Sequence, residues 1–244
     1  MPTSYAAYLD ATVNAFIQSA RPQELINKKV EILTDIATHY NTTPTSILYV
    51  GFSPWILNSP VSDISITELT PAAKKLLDTY NVKYTYIENK DLSTHSKEFQ
   101  WVVAGDEYLT FASSETEQRN KIKFLSDLAG DLIITTLRDY KNQDFKDREF
   151  GHPVAIRNSS NTTIFLEHNE YDFNERNSWE TKVYQIQNNV CTTHGPVNRC
   201  SMYFKQLAKF SIDAGALKFL VHKNLMYKSL IKKNYEHVIS IIVK

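Results

Sequence analysis

The chain has 244 residues, 42% hydrophobic and 22% charged, the make-up of one globular domain with a sizeable core. Lysine plus arginine equals aspartate plus glutamate at 27 each, so no overall field draws the molecule to nucleic acid or to a membrane surface. Two cysteines are too few for a disulfide framework, the first twenty residues lack a basic start followed by an apolar core, and no apolar run is long enough to span a bilayer; these features predict a soluble, cytoplasmic protein.

Tyr5 to Gln18 and Pro22 to Tyr40 read as helices, so that residues 1–43 form an N-terminal helical segment closed by Asn41-Thr42-Thr43-Pro44. Ile47 to Val50 is a short apolar run that stops at Gly51, and a buried strand ending on a residue without Cβ lets the backbone approach a ligand closely. Pro54 and Trp55 open a helix or turn. A second strand, Ile64 to Thr67, runs into Glu68 and Leu69, with Glu68 seventeen positions after Gly51. Nucleotide-binding folds place a ribose-gripping carboxylate at about this distance, near 20 residues.

Thr70 and Pro71 make an N-cap and first-turn pair for a helix from Ala72 to Tyr80, with Leu76, Leu77 and Tyr80 facing inward. Val82 to Ile87 is a third strand. Phe99 to Ala104 is a fourth, apolar on consecutive positions as a strand covered on both faces should be. Glu115 to Ala129 is a helix ended by Gly130, and Asp131 to Thr136 is the fifth strand. Strand and helix thus alternate as in a parallel sheet with helices on both faces, whose ligands bind outside the C-terminal strand ends. Gly51, Glu68, the segment after Ile87 and the segment after Ala104 then share one edge.

From Tyr140 to Pro196 the sequence turns polar and Asn-rich, with two strand-like runs at Thr163 to Leu166 and Lys182 to Ile186. A structureless loop of that length is uncommon inside a compact domain, so residues 140–196 are expected to form an ordered insertion that overhangs the ligand edge. Arg199 to Ala214 is a helix capped by Gly215. Lys218 to Val221 and His237 to Val243 are the last strands, within a C-terminal part that carries nine Lys/Arg against Asp213 and Glu236.

This order (strand-Gly, strand-Glu, two more strands, helix, strand, then a late helix and two final strands) resembles the class I S-adenosylmethionine-dependent methyltransferases over residues 26–244. The resemblance implies an α/β fold with a seven-stranded, mostly parallel Rossmann-like sheet, helices on both faces and a C-terminal antiparallel hairpin, in a single domain spanning 1–244. It implies S-adenosyl-L-methionine as cofactor. Gly51, Phe52 and Ser53 would form the loop beneath its methionine part, Glu68 with Leu69 beside it would meet the ribose, and Asp91 would meet the adenine amino group. Gly105, Asp106 and Glu107 would form the wall facing the methyl acceptor. The family's loop usually carries two or three glycines, whereas here Gly51 is followed by Phe52, Ser53, Pro54 and Trp55, and Pro54 removes a backbone donor.

Methyl transfer is an in-line displacement, accelerated mainly by alignment and by a dry site. An acceptor that must lose a proton needs a base, for which Asp106, Glu107, His152 and His168 are the candidates on this edge. Cys191, His194 and Cys200 do not supply the four paired ligands of a zinc site, so no metal is expected. Tyr171, Phe173, Trp179 and Tyr184 are expected to form the insertion's own small core, with stacking on a base or a flat substrate as the other use of such rings. The Asp/Asn-Pro-Pro-aromatic run of amino-directed nucleic-acid methyltransferases is absent after the fourth strand, where the chain reads Ala104-Gly105-Asp106-Glu107-Tyr108. Amino-directed DNA modification is thereby disfavoured. A small molecule or a protein side chain is the expected acceptor; the basic C-terminal stretch with Lys223, Lys228, Lys232 and Lys233 leaves an RNA methyltransferase as an alternative, and the oligomeric state is left open. Two alternatives from other classes stand beside this: a binding or regulatory protein that kept the fold without the chemistry, and a nicotinamide-dependent oxidoreductase built on the same strand-Gly, strand-Glu pair.

Overall fold

A computed structural model describes residues 4–17, 22–41, 43–105, 108–138, 148–150, 153–157, 161–171, 178–228 and 233–243. Two N-terminal helices, α1 (Ser4–Ile17) and α2 (Pro22–Tyr40), precede β1 (Ile47–Val50), a 3-10 turn (Pro54–Asn58), β2 (Ile64–Thr67), α3 (Pro71–Thr79), β3 (Thr85–Tyr86) and β4 (Phe99–Ala104). Helix α4 (Glu115–Leu128) leads into β5 (Ala129–Arg138). After the second-sheet strands β6 (Arg148–Phe150), β7 (Val154–Arg157), β8 (Thr162–Tyr171), β9 (Ser178–Gln187) and β10 (Val190–Cys200) come α5 (Phe204–Asp213), β11 (Lys218–Lys228) and β12 (Lys233–Ile242).

The main sheet has seven strands in the order β11-β12-β5-β4-β1-β2-β3. β1 pairs in parallel with β2 and β4, β2 with β3 and β4 with β5, while β12 runs antiparallel to both β5 and β11. The seven-stranded sheet and its terminal hairpin match the expectation. Side-chain alternation along each strand explains the two cores. Ile47, Tyr49, Trp101, Val103, Leu132 and Ile134 point to one face, where Leu33 and Ile36 of α2, Trp55 and Ile56 of the 3-10 turn and Leu76 and Leu77 of α3 cover them. Leu48, Val50, Val102 and Ile133 point to the other, under Ile122 and Leu125 of α4 and Leu207 and Phe210 of α5.

Local signals act as their chemistry predicts at α3, where the Thr70 hydroxyl accepts from the Ala73 amide at 3.3 Å and Pro71 opens the first turn. The structure departs from expectation at several boundaries. Tyr80 ends α3 at 43% exposure instead of facing inward. The third strand keeps two exposed residues at the sheet edge, because edge strands have only one neighbour to pair with. Gly130 lies inside β5, not at a helix cap; a Cβ there would stand 3.3 Å from the Phe99 carbonyl oxygen, so the glycine permits close strand approach. Residues 199 and 200 close β10, and α5 starts later, at Phe204, where Gln206 returns a side-chain bond to the Tyr203 amide at 2.9 Å.

Between β5 and α5 the chain builds a second sheet in the order β10-β9-β8-β6, with β7 also paired to β8. Its described pairings are antiparallel, and the two expected runs lie inside the longer strands β8 and β9, of 10 residues each. Helix α1 packs on it through Tyr8 and Ala11 against Phe165, Val183 and Val197, and reaches α3 through Val13 against Ala72 and Ala73. The Asp10 carboxylate accepts from the Ala72 amide at 2.7 Å, so α1 also satisfies a first-turn donor of α3. Among the described residues no helix is long and apolar enough to cross a membrane.

Candidate functional site

The site lies where β1, β2 and β4 end. The Gly51 amide donates to the Thr67 carbonyl at 3.0 Å, locking the two strand ends together, and Gly51 has φ +74°, a conformation open to glycine at little cost. Glu68, the next residue on β2's side, also has positive φ, +56°. For a residue with a Cβ this is a strained backbone state, of the kind that costs about 1–3 kcal/mol and clusters at functional sites. The effect is to bring its carboxylate back over Gly51: a Cβ on Gly51 would lie 4.0 Å from Glu68 Oε2.

Glu68 Oε1 accepts from Asn89 Nδ2 at 3.4 Å, and Asn89 Oδ1 in turn accepts from the Thr67 hydroxyl. Oε2 is fully covered and has no hydrogen-bond partner among the described residues. Burial pushes the Glu68 carboxyl above the ordinary glutamate range, with Lys121 and the Asn89 bond pulling it partly back. Lys121, on α4, sits 4.4 Å over the Tyr108 ring and donates to the Tyr108 carbonyl at 3.3 Å and to the Phe111 carbonyl. Burial lowers its own pKa, opposed by Glu68 and Glu117. Tyr108 is raised by burial and then by the Glu68 charge.

Ser53 is 2% exposed, and its hydroxyl likewise has no partner among the described residues. Across from it lies Gly105, buried at the end of β4, where a Cβ would come within 2.9 Å of Ser53 Oγ. Gly51, Ser53, Glu68 and Gly105 are thus gathered at one edge. Phe52 and Leu69 are half-buried and pack with Val13, Ala72 and Ala73 between α1 and α3. Asp91 is exposed, its carbonyl accepting from the Thr94 amide and hydroxyl; from this segment it is the Asn89 side chain that reaches Glu68. Asp106, Glu107 and His152 lie outside the described residues, as does Phe173.

His168 does not join this edge. Its neighbour Glu167 points toward α1, where Glu167 Oε2 accepts from the Tyr8 hydroxyl at 3.2 Å, and alternation puts His168 on the other face of β8. There its ring stacks on Phe150 at 4.5 Å and near Tyr184 at 5.9 Å. The inner face carries a linked set of polar groups: Asn169 donates to Glu167 Oε1 at 3.1 Å, and the Thr181 hydroxyl donates to Asn169 Oδ1 at 2.7 Å. Arg199 reaches the Thr110 hydroxyl at 2.8 Å and lies over the rings of Phe111 and Trp179. Tyr5 and Tyr8 of α1 meet Phe111 at 5.5 and 5.6 Å, so α1 runs from the main sheet's edge to the second sheet.

Sequence reasoning missed Asn89, Lys121 and Glu167. Asn89 sits in the segment after the third strand where Asp91 was favoured, and only the turn decides which side chain points inward. Lys121 and Glu167 look like solvated charges in their periodic elements and carry no local signal.

No protein-family model matches the chain, and no curated protein matches it in sequence. Solved structures match in fold. DesVI of Streptomyces venezuelae is 11% identical with a TM-score of 0.64, over 90% of this chain and 92% of that one. CalS10 from Micromonospora echinaspora, an amino pentose methyltransferase involved in calicheamicin biosynthesis and solved with S-adenosylmethionine bound, is 11% identical with a TM-score of 0.62, over 88% and 90%. The sugar N-methyltransferase KedS8 from Streptoalloteichus is 10% identical with a TM-score of 0.62, over 88% and 86%. With its strand order, antiparallel terminal hairpin and these neighbours, the chain has the fold of the class I S-adenosylmethionine-dependent methyltransferases.

Proposed function

We propose that the protein is an S-adenosylmethionine-dependent methyltransferase acting on a small-molecule acceptor. The observation that carries this is Glu68 Oε2, a covered carboxylate oxygen without a hydrogen-bond partner among the described residues, beside Gly51, where an added Cβ would stand 4.0 Å away. A buried polar atom without a partner is costly, and two ribose hydroxyls are donors suited to a carboxylate. The residues therefore fit the cofactor, which when bound supplies a methyl group on a sulfonium sulfur.

In this proposal Glu68 accepts from the ribose, the Gly51-Phe52-Ser53 turn lies beneath the methionine part, and Leu69 helps set the pocket wall. Asp91 stands toward the adenine amino group, and Gly105 and Asp106 border the cofactor on the acceptor side. Asp106, Glu107 or His152 takes the proton from an acceptor that must lose one. The second sheet, from the 140–196 insertion, caps the acceptor side, and α1 helps exclude water from the strand ends. The choice of a small molecule draws support from structural neighbours that methylate sugars.

A second reading, a protein that keeps the fold as a binding or regulatory subunit, is favoured by one feature, the lack of a second glycine after Gly51. Calorimetric titration with S-adenosylmethionine separates the two. Heat of binding at micromolar to millimolar ligand is expected; a folded sample that gives none leaves only the second.

A further inference from the structure

We infer that Lys121 is a positioning residue for the cofactor's ribose: its ammonium, pinned by two backbone carbonyls behind the strand ends, supplies the positive charge that the covered Glu68 carboxylate is set against. This rests on the cofactor proposal above and gives it a pH range.

Lys121 falls among charged residues on α4, yet it is half-buried. Its ammonium donates to the Tyr108 carbonyl at 3.3 Å and to the Phe111 carbonyl, and stands 4.4 Å from the centre of the Tyr108 ring. The Tyr108 amide in turn donates to the Gly105 carbonyl at 3.1 Å. The ammonium is thus tied to the end of β4, beside the β1 and β2 ends that carry Gly51 and Glu68. An aliphatic side chain would fill the same place without the cost of taking a charge out of water. Two neutral carbonyls and a ring hold this charge, and none of them neutralises it.

Two carboxylates lie within its electrostatic reach, Glu68 and Glu117. Glu117, one turn earlier on α4, already has Oε2 taken up by the Ser113 amide and hydroxyl, both at 2.8 Å. Glu68 has one donor, Asn89 Nδ2 at 3.4 Å, and its Oε2 has no hydrogen-bond partner among the described residues. Burial pushes the Glu68 carboxyl up, and the Lys121 charge pulls it back more than the Asn89 bond does. The other titratable groups that feel Glu68 are the phenols of Tyr5 on α1 and Tyr108 after β4. Burial first, and the Glu68 charge second, push both upward, so they stay protonated and add no charge; Arg199 on β10 bears on Tyr5. An ionised carboxylate offers both oxygens to two ribose hydroxyls, whereas a protonated one loses an acceptor position and the charge that strengthens both bonds. Lys121 thereby extends to lower pH the range in which Glu68 can hold a ribose.

The test follows the Glu68 carboxyl carbon by NMR on the full chain from about pH 4 to about pH 9, its signal identified by its loss in Glu68→Gln. In Lys121→Met the titration midpoint is expected at higher pH than in wild type. In Lys121→Arg, which keeps the charge, it should stay near the wild-type position. Lys121→Gln, whose amide can still donate to a carbonyl, should behave as Lys121→Met and makes the same comparison if the methionine variant does not fold. Calorimetry with S-adenosylhomocysteine should show affinity falling off at higher pH in the two neutral variants, with about threefold or more lost on that acid flank beyond any loss at about pH 8. A lysine that only tied down the Tyr108 and Phe111 carbonyls would, when replaced, lower the melting temperature and leave the midpoint where it is. An unmoved midpoint in the neutral variants, or one that moves as far in Lys121→Arg, overturns the assignment. Wild type that binds no S-adenosylhomocysteine while the midpoint moves as expected overturns the cofactor proposal and leaves the electrostatic pairing of Lys121 with Glu68 standing.

Discussion

The two sheets bury their strands in different ways. In the main sheet β1 and β2 are buried at every position and β4 at all but Gln100, because helices lie on both faces. In the second sheet burial alternates: Trp179, Thr181 and Val183 are buried on β9 while Glu180 is exposed, and Phe150, Ile186 and Val190 are open to solvent. Their polar groups differ accordingly. At the main sheet's strand ends Glu68 Oε2 and Ser53 Oγ lack partners among the described residues, whereas on the second sheet's inner face Glu167, Asn169 and Thr181 satisfy one another and Tyr8. His168 Nε2, also without a partner among the described residues, lies on the other face. The doubly covered sheet thus carries two of these atoms where its strands stop, while on the one-sided sheet Glu167, Asn169 and Thr181 bond one another.

The hardest test of that contrast is Trp101→Ala. Trp101 is fully buried in the middle of the main sheet, and its truncation is expected to cost about 3–5 kcal/mol in urea unfolding. A loss below that of Phe165→Ala in the second sheet would reverse the comparison.

Glu68→Gln comes next. Replacing the carboxylate should weaken S-adenosylmethionine binding about 10- to 100-fold by calorimetry. The ligand-free protein should respond the other way. Burial raises the folded carboxyl's pKa, so between the ordinary glutamate value of 4.5 and the raised one the native state holds a proton the unfolded chain has lost. Stability therefore falls as pH rises through that window and stays lower above it. The glutamine variant should lack this fall in a pH series of unfolding curves, and be at least as stable as wild type at neutral pH.

Glu167→Gln probes the second sheet's inner face. Weakening the bonds from Tyr8 and Asn169 should cost about 1 kcal/mol in urea unfolding and leave calorimetric cofactor affinity within a factor of a few. A loss of affinity as large as that of Glu68→Gln would place both residues in one site and erase the distinction between the sheets. The smallest effect belongs to the outer face, where Lys182 stands 3.8 Å from Glu170 and 3.6 Å from Glu180. Lys182→Ala should change stability by less than about 1 kcal/mol, read by thermal melting at low and high salt.

Legible in the residues were the main sheet's first, second and fourth strands and the Gly51 and Glu68 pair, whereas the antiparallel pairing of the last two strands was an implication of the family resemblance. The former are positions where one residue type answers a local demand: consecutive apolar residues for a strand covered on both faces, a glycine where φ is positive, a carboxylate at a strand end. The second sheet was seen only as two fragments of strand, because alternating polar and apolar residues around Asn-rich turns read weakly until neighbouring strands complete them. Only the tertiary packing decided that Asn89 reaches Glu68, that Lys121 lies half-buried against Tyr108, that His168 faces away from the strand ends and that Ser53 opposes Gly105. Each of these depends on how segments distant in sequence approach one another, and no local spacing encodes the direction a side chain takes once its neighbours close around it.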